Sequence, residues 1–141
     1  MRRKCYVVVD TNVLVSALLS KHKDTATVQV FHRLFDEDVC LLYSEATMGE
    51  YIDVLSRPKF HFSESDVIRL LSQIRQAGIL LNPKHSDVIL PDMKDLPFYE
   101  LVLEKKEDPA YLVTGNSKHF PKEPFVVTPK ELIDILGEEQ R

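Results

Sequence analysis

The stretch CYVVVDTN, residues 5–12, decides the fold. Its first five residues form an unbroken apolar, β-branched run, which is typical of a parallel strand covered by helices on both faces. Asp10 follows this strand directly, and Asp10 or Thr11 can cap a helix that the apolar pattern predicts over residues 13–20. In an open parallel sheet, ligands bind beyond the carboxyl ends of the strands, so Asp10, Thr11 and Asn12 are the first candidates for a functional site.

The same alternation of strands and helices continues to the end of the chain. It predicts further strands over residues 39–43, 79–81, 110–113 and 125–127, and further helices over residues 24–35, 44–57, 63–76, 95–106 and from 129 onward. We expect a loop over residues 83–94, which can hold a short extended piece at 87–90, and a polar tail over 138–141. This order is typical of an α/β protein with one mostly parallel sheet of about five strands, and we expect a single domain over residues 1–141.

The overall charge argues against a protein that coats nucleic acid. The 141 residues carry a net charge of −4 at pH 7, whereas DNA-coating domains are usually basic. A nuclease is not excluded, because bound divalent cations reverse the charge of an acidic cleft. Cys5 and Cys40 are too far apart in sequence to have the spacing of a zinc finger, and we expect both to be buried as small apolar residues. Two cysteines in a chain of this size suggest a reducing compartment. The apolar runs are too short to span a membrane, so we expect a cytoplasmic protein with no membrane partner.

Two acidic residues in the first half of the chain are candidate metal ligands. Asp10 ends a run of three valines, and its alternative role is that of a helix N-cap. Glu50 lies away from the apolar stripe of its predicted helix, yet Ala46 and Val54, four residues to either side, suggest a second covered surface. A partly covered Glu needs a cation, whereas an ordinary exposed Glu does not, and the sequence leaves both interpretations open for Glu50.

The second half of the chain supplies further oxygen ligands near the same sheet edge. Asp92 and Asp95 are three residues apart, and two such close carboxylates repel unless one is protonated or a cation lies nearby. Asp95 is also a plausible N-cap. Thr114 and Asn116 follow a strand, where they can form a simple turn or hold metal-bound water. Hard oxygen ligands of this kind favour Mg²⁺ or Mn²⁺ over Zn²⁺.

Five blocks of sequence resemble the PIN-domain nucleases, most closely the subgroup of putative toxin components of toxin–antitoxin pairs. The blocks are VVVDTNVLVSALLS, LLYSEATMGEYIDVLSRPKF, DMKDLPFYELVL, YLVTGNSKHF and VVTPKELIDIL, and they follow the family's order over nearly the whole chain. The resemblance implies a three-layer α/β/α fold and cleavage of RNA phosphodiester bonds that depends on Mg²⁺ or Mn²⁺.

The resemblance also assigns the site residues. The family's first acid corresponds to Asp10, its helix acid to Glu50, and its late acids to Asp92 and Asp95, of which Asp95 is the surer match. These positions imply a catalytic set of Asp10, Glu50 and Asp95. The metal ligands would be the same three residues together with Asp92 and Asn116. The last family position is often Asp, so Asn116 removes one charge, which implies weaker metal binding or the loss of one of two metal sites.

Further polar residues are expected to support this site. Thr11, Asn12, Ser44 and Thr114 would orient ligands or hold phosphate oxygens. A rim of basic residues would guide RNA toward the acids. The alternative is that these residues are ordinary exposed surface charges with no role in binding. The candidate members of this rim are Lys21, His22, Lys23, Arg57, Lys59, His61, Lys118 and His119.

Other functions remain open at this stage. Because Asn116 is neutral, the chain can instead be a catalytically weak or inactive PIN-like module that binds RNA or protein. A haloacid-dehalogenase-type phosphatase is disfavoured, since it needs a second acid where Asn12 stands, and a receiver domain needs an acidic pair after the first strand. The expected partners are RNA, an antitoxin protein and a second copy of the chain, which would bind through exposed apolar residues such as Phe60, Phe62 or Leu80.

Overall fold

The structure of the protein is a computed structural model, which describes residues 5–139. Its strands are β1 (Cys5–Val9), β2 (Val39–Tyr43), β3 (Ile79–Leu80), β4 (Ala110–Val113) and β5 (Val126–Val127). Its helices are α1 (Thr11–Leu19), α2 (Ala26–Arg33), α3 (Glu45–Leu55), α4 (Glu64–Ala77), α5 (Leu96–Leu103) and α6 (Pro129–Glu139). Short 3-10 turns lie at Pro58–Phe60, Met93–Asp95 and Ser117–His119.

The five strands form one sheet in the order β3-β2-β1-β4-β5, and all four strand pairs are parallel. The predicted parallel sheet of about five strands is therefore confirmed. The chain builds outward from β1 to β3, then returns to the other side of β1 to add β4 and β5. The order of the strands thus reverses between β1 and β4, and such a switch point leaves a crevice beyond the carboxyl ends of the two strands.

The central strands are buried on both faces, which explains why they read as continuous apolar runs. Val7, Val8, Leu42 and Leu112 have no exposed surface, since helices cover the sheet on either side. Helix α2 contacts α1 and α6, and helix α3 contacts α4, α5 and also α1. Helix α5 packs on β1, β2 and β4. The resulting architecture is the predicted three-layer α/β/α fold.

Hydroxyl side chains begin three of the helices, as the sequence predicts. Thr25, Ser44 and Ser63 each accept a hydrogen bond from a backbone N–H in the first turn of α2, α3 and α4. Ser44 and Thr47 form a reciprocal capping box. These caps fix where α3 leaves β2, and so they set the position of the residues that α3 carries.

Some boundaries differ from the prediction. Helix α5 ends at Leu103 rather than Lys106, because the polar run that follows offers no apolar side chain to pack before β4 begins. Residues 87–90 form no strand. Helix α6 continues to Glu139, two residues into the expected polar tail, and residues 140–141 lie outside the described residues.

Three further expectations concern burial and membrane spans. Cys5 and Cys40 are buried, as predicted. Strand β3 is an edge strand, and Leu80 is half exposed there. Within residues 5–139, no helix has both the length and the apolar character needed to cross a bilayer.

Candidate functional site

Asp10 lies in the crevice between β1 and β4 and does not act as a helix cap. It occupies the N-cap position of α1, but its carboxylate makes no capping hydrogen bond. Instead, its Oδ2 accepts a hydrogen bond of 2.8 Å from the Thr114 hydroxyl and one of 3.3 Å from the Asn12 side-chain amide. The interpretation of Asp10 as a simple helix cap is therefore wrong, and two neutral donors fix the orientation of its carboxylate.

Burial makes the charge on Asp10 costly. The residue is 5% exposed, and this burial raises the pKa of its carboxyl group to about 6. The hydrogen bond from Thr114 opposes the shift, while the negative charge of Asp95 adds to it. Asp95 is thus close enough to Asp10 to interact electrostatically, although the two residues lie 85 positions apart in the chain. A carboxylate buried in this position is stabilised by a proton or by a cation beside it.

Asp95 also occupies an N-cap position without capping its helix. It precedes α5, but its carboxylate makes no cap hydrogen bond, so the N-cap interpretation is wrong here too. Its Oδ2 lies 3.3 Å from Nδ1 of His119. Burial and the nearby charge of Asp92 raise the pKa of Asp95, and His119 partly opposes this shift. The surroundings of both Asp10 and Asp95 therefore disfavour the ionised forms of their carboxyl groups.

Asp92 has a local structural role in addition to its charge. Its side chain accepts a hydrogen bond of 3.0 Å from the backbone N–H of Lys94 and so caps the turn Met93–Asp95. This turn places Asp95 at the start of α5. Asp92 is exposed, and it acts on the site through its charge on Asp95.

The loops after β1 and β4 are joined by a small hydrogen-bond network. The Thr114 hydroxyl donates to Asp10 and accepts a hydrogen bond of 3.0 Å from the backbone N–H of Asn116. Asn12 Oδ1 accepts one of 3.3 Å from the N–H of Gly115. The Asn116 side chain is exposed and makes no hydrogen bond with the described part of the chain. The structure therefore brings Thr114, Asn12 and Asn116 to the predicted place, next to Asp10.

Glu50 is brought near this crevice by α3 but is not joined to the two aspartates. The neighbouring Tyr51 is buried, and its hydroxyl donates a hydrogen bond of 2.5 Å to the carbonyl oxygen of Val9, the residue before Asp10. This contact fixes the second turn of α3 against the end of β1. Glu50 itself is half-buried, and within residues 5–139 it makes no hydrogen bond or ion pair. Its place in the predicted catalytic set remains a prediction.

The remaining predicted residues fall into different environments. Thr11 is buried, and its hydroxyl oxygen has no hydrogen-bond partner among the described residues, so it is available to a ligand. Ser44 is accounted for by its capping hydrogen bond with the N–H of Thr47, and a role in holding ligands stays a prediction. Lys118 is exposed in the turn Ser117–His119, two residues after Asn116.

A divalent cation fits the chemistry of this site, although the ligand set is incomplete. Among the side chains of the described residues, no three or more from His, Cys, Asp and Glu come together as a ready metal cluster. Asp10 and Asp95 nevertheless provide two carboxylates whose ionised forms need a compensating positive charge. Mg²⁺ typically binds through one or two carboxylates and keeps several water ligands, so two acids are enough to hold it.

The sequence alone did not predict that His119 contacts Asp95 in this site. The sequence places it only on the basic rim, whereas its ring contacts Asp95 and is half-exposed beside it. The two residues are 24 positions apart and lie on different loops. Its one sequence signal is its position directly after the loop that follows β4, where other site residues also lie.

Comparisons with known proteins agree with this architecture. A family model described as "PIN domain" matches residues 6–118, which include every candidate acid and Asn116. The curated "Uncharacterized protein MJ1680" of Methanocaldococcus jannaschii is 24% identical over 116 residues, covering 80% of this chain and 72% of that protein. The crystal structure of PAE2754 from Pyrobaculum aerophilum has a TM-score of 0.56 and 18% identity, covering 96% of this chain and 91% of that one, and it supports the fold alone. Since the family match spans most of the sequence, the chain belongs to the PIN domain family.

Proposed function

We propose that this protein is a metal-dependent endoribonuclease. PIN domains are generally nucleases and typically use divalent metals. The observation that carries the proposal is that the charge of Asp95 acts on the buried Asp10 at the switch point of the sheet, where both carboxyl groups have raised pKa values. The pair has the chemistry to hold Mg²⁺ or Mn²⁺.

Each residue of the site has a distinct task in this proposal. Asp10 and Asp95 hold the cation, and Glu50, Asp92 and Asn116 are proposed to complete its surroundings directly or through water. When bound, the cation acts as a Lewis acid on the phosphodiester and lowers the pKa of a bound water. Thr114 keeps the Asp10 carboxylate oriented by donating its hydroxyl hydrogen, and His119 does the same for Asp95.

RNA is the proposed substrate because the family resemblance points to it. The net charge of −4 does not favour binding through bulk charge. Lys118 is exposed next to Asn116 and can contact a phosphate beside the acids. The affinity for RNA should therefore be modest. Its decrease with rising salt concentration should be shallow, as expected for a protein that contacts only a few phosphates.

The toxin role is the finer part of the proposal and rests on the resemblance alone. As a toxin, the protein would bind an antitoxin that blocks its cleft, and it would dimerise through exposed apolar residues. Leu80 at the sheet edge is half exposed, whereas Phe60 and Phe62 stack on each other and are half-buried. Leu80 is thus the better dimer candidate of the three.

A second candidate is a PIN-like module that binds RNA or protein without cleaving it. It is favoured by Asn116 in place of an acid and by the missing third acid beside Asp10 and Asp95 among the described residues. The two candidates differ in one observable property, since only the enzyme breaks phosphodiester bonds when a metal is added.

The test is incubation of the purified protein with a mixed RNA pool, with Mn²⁺ or with EDTA. We expect cleavage with Mn²⁺ only, and loss of cleavage in Asp10→Asn and Asp95→Asn. Asp87→Asn is the matched control, because Asp87 is an exposed aspartate in the loop before Asp95 and away from the acid pair. Identical RNA profiles with Mn²⁺ and EDTA would refute the enzyme, and RNA retention without cleavage would then support the binding module.

A further inference from the structure

A cavity of about 390 Å³ lies beyond the carboxyl ends of β2 and β3. Ser44 and Leu81, the first residues after these two strands, both line it. Pro97 also lines it, only two residues after Asp95. The cavity therefore shares the sheet edge with the proposed catalytic site, and its size falls in the range of small-molecule pockets.

Most of the cavity wall is apolar surface, and its polar side chains are Ser44, Glu45, Asn82, His85 and Glu100. Ala46, Leu80, Leu81, Pro83 and Pro97 provide the apolar surface. Glu100 also lines the cavity although it is only 6% exposed. A mostly apolar wall with a small number of polar groups is the usual composition of a small-molecule site.

Glu100 retains unused hydrogen-bonding capacity on the side of this cavity. Its Oε2 accepts a hydrogen bond of 2.5 Å from the backbone N–H of Ser86, which fixes the position of the carboxylate. Its Oε1 lies 3.7 Å from Nδ1 of His85, which is an ion pair when His85 is protonated, and it accepts no hydrogen bond from the described residues. A carboxylate accepts about four hydrogen bonds and donates none, so Glu100 calls for a ligand with N–H groups.

The cavity and the acids lie beyond the ends of neighbouring strands. Ser44, which lines the cavity, follows β2, and β2 pairs with β1, the strand that ends directly before Asp10. Neighbouring strands lie about 5 Å apart, so a phosphate held at the acids would leave a neighbouring base within reach of the cavity. Bases of single-stranded RNA are read on their Watson–Crick edges once they are unstacked.

We propose that this cavity binds a guanine base next to the cleaved phosphodiester and that Glu100 selects it. The inference rests on the proposed ribonuclease function. Guanine presents two adjacent N–H donors, N1–H and the N2 amino group, which a carboxylate can accept together. Adenine and cytosine place a ring nitrogen acceptor beside their single amino group, and uracil flanks its N–H with two carbonyl oxygens, so each sets an acceptor against the carboxylate.

Glu100 also has a structural role, which the test must separate from base selection. Together with Glu104, which accepts a hydrogen bond of 3.1 Å from the N–H of Lys84, it ties the loop at residues 84–86 to α5. Glu100→Gln keeps an amide oxygen for the Ser86 N–H but replaces the other acceptor with a donor. Glu104→Gln is the matched control, because Glu104 holds the same loop and does not line the cavity.

The first measurement is binding of five-nucleotide RNAs that carry one G or one A in a uridine background, in EDTA so that no cleavage occurs. We expect the parent and Glu104→Gln to bind the G-containing RNA at least about tenfold more tightly than the A-containing one, as one bidentate contact provides. Glu100→Gln should abolish this difference. Ala46→Phe, which fills the cavity from an exposed wall position, should also weaken binding of the G-containing RNA.

The second measurement is cleavage of the same RNAs with Mn²⁺, which keeps the two proposals distinguishable. Cleavage without any G preference in binding, or with a preference that persists in both Glu100→Gln and Ala46→Phe, would overturn the guanine pocket and leave the ribonuclease standing. A G preference that Glu100→Gln removes, in a protein that cleaves no RNA, would support the pocket and refute the proposed enzyme.

Discussion

Replacing Asp10 with Asn should stabilise the metal-free protein at neutral pH. Burial raises the pKa of Asp10 from 3.8 to about 6, so the folded protein holds this proton more tightly than the unfolded chain does. Below pH 3.8 the group is protonated in both states and costs nothing. As the pH rises from 3.8 to about 6, the unfolded chain ionises Asp10 while the folded state keeps it protonated, so stability is lost until both states are ionised.

The size of this effect follows from the pKa difference. Each pKa unit corresponds to about 1.4 kcal/mol, so the ionised Asp10 costs the folded state about 3 kcal/mol at pH 7.5. Asn keeps an oxygen that can accept the Thr114 hydroxyl and carries no charge. We therefore expect the free energy of unfolding of Asp10→Asn to be about 3 kcal/mol higher than that of the parent at pH 7.5. Near pH 4 the two proteins should have similar free energies of unfolding.

The assay is urea unfolding in EDTA, followed by circular dichroism, since the chain has no tryptophan. Asp87→Asn serves as the control, because Asp87 is exposed and should leave stability nearly unchanged at every pH. The reasoning fails if Asp10→Asn is no more stable than the parent at pH 7.5, or if its advantage is the same at pH 4.5 and pH 8.

Four further predictions test the site and its support. Because Asp10 must release its proton to bind a cation, the apparent Mn²⁺ affinity should fall about tenfold per pH unit below pH 6 and level off above it; a flat titration would contradict this. Thr114→Val removes the hydroxyl donor to Asp10 and should weaken Mn²⁺ binding about tenfold at pH 7, whereas unchanged affinity would deny Thr114 its orienting role. Gly78→Ala should destabilise the fold by about 1–3 kcal/mol in urea, because a Cβ there would lie 2.7 and 2.9 Å from two backbone carbonyl oxygens; Gly137→Ala, in open helix, should be neutral or stabilising. Tyr51→Phe removes a buried hydrogen bond to the strand end before Asp10 and should cost about 1–2 kcal/mol of unfolding free energy, and an equally stable variant would show that the contact is dispensable.

The central strands could be predicted from sequence because each one carries its own signal. Every residue in the stretches 5–9 and 39–43 is apolar or aromatic, as expected of a strand covered on both faces. Both strands are buried between helices in the structure. Strand β3 is only two residues long, and both residues are exposed because the strand lies at the edge of the sheet. That place depends on strand order, which no local pattern encodes.

The loop between β3 and α5 shows the limit of periodicity. The sequence allowed an extended piece at residues 87–90, but the structure holds this loop by contacts from α5 rather than by strand pairing. Ile89 is 80% exposed there, although its apolar character favours burial in a strand. The loop is fixed by hydrogen bonds to Glu100 and Glu104, which are distant in sequence.

For the site, the sequence could name the acids but not choose between their roles. Asp10 and Asp95 both stand where a helix cap is common, and only the orientation of their side chains rules that role out. The pairing of Asp10 with Thr114 joins residues 104 positions apart, and that of Asp95 with His119 joins two loops. Such contacts depend on β4 returning beside β1, and they become visible only in three dimensions.

The most direct test of the acid pair is a Mn²⁺ titration followed by electron paramagnetic resonance at pH 8. The parent and Asp87→Asn should bind at least one ion, and Asp10→Asn and Asp95→Asn should each lose at least tenfold in affinity. Undiminished binding in the double variant Asp10→Asn with Asp95→Asn, or no binding by the parent, would contradict a cation shared by these two carboxylates.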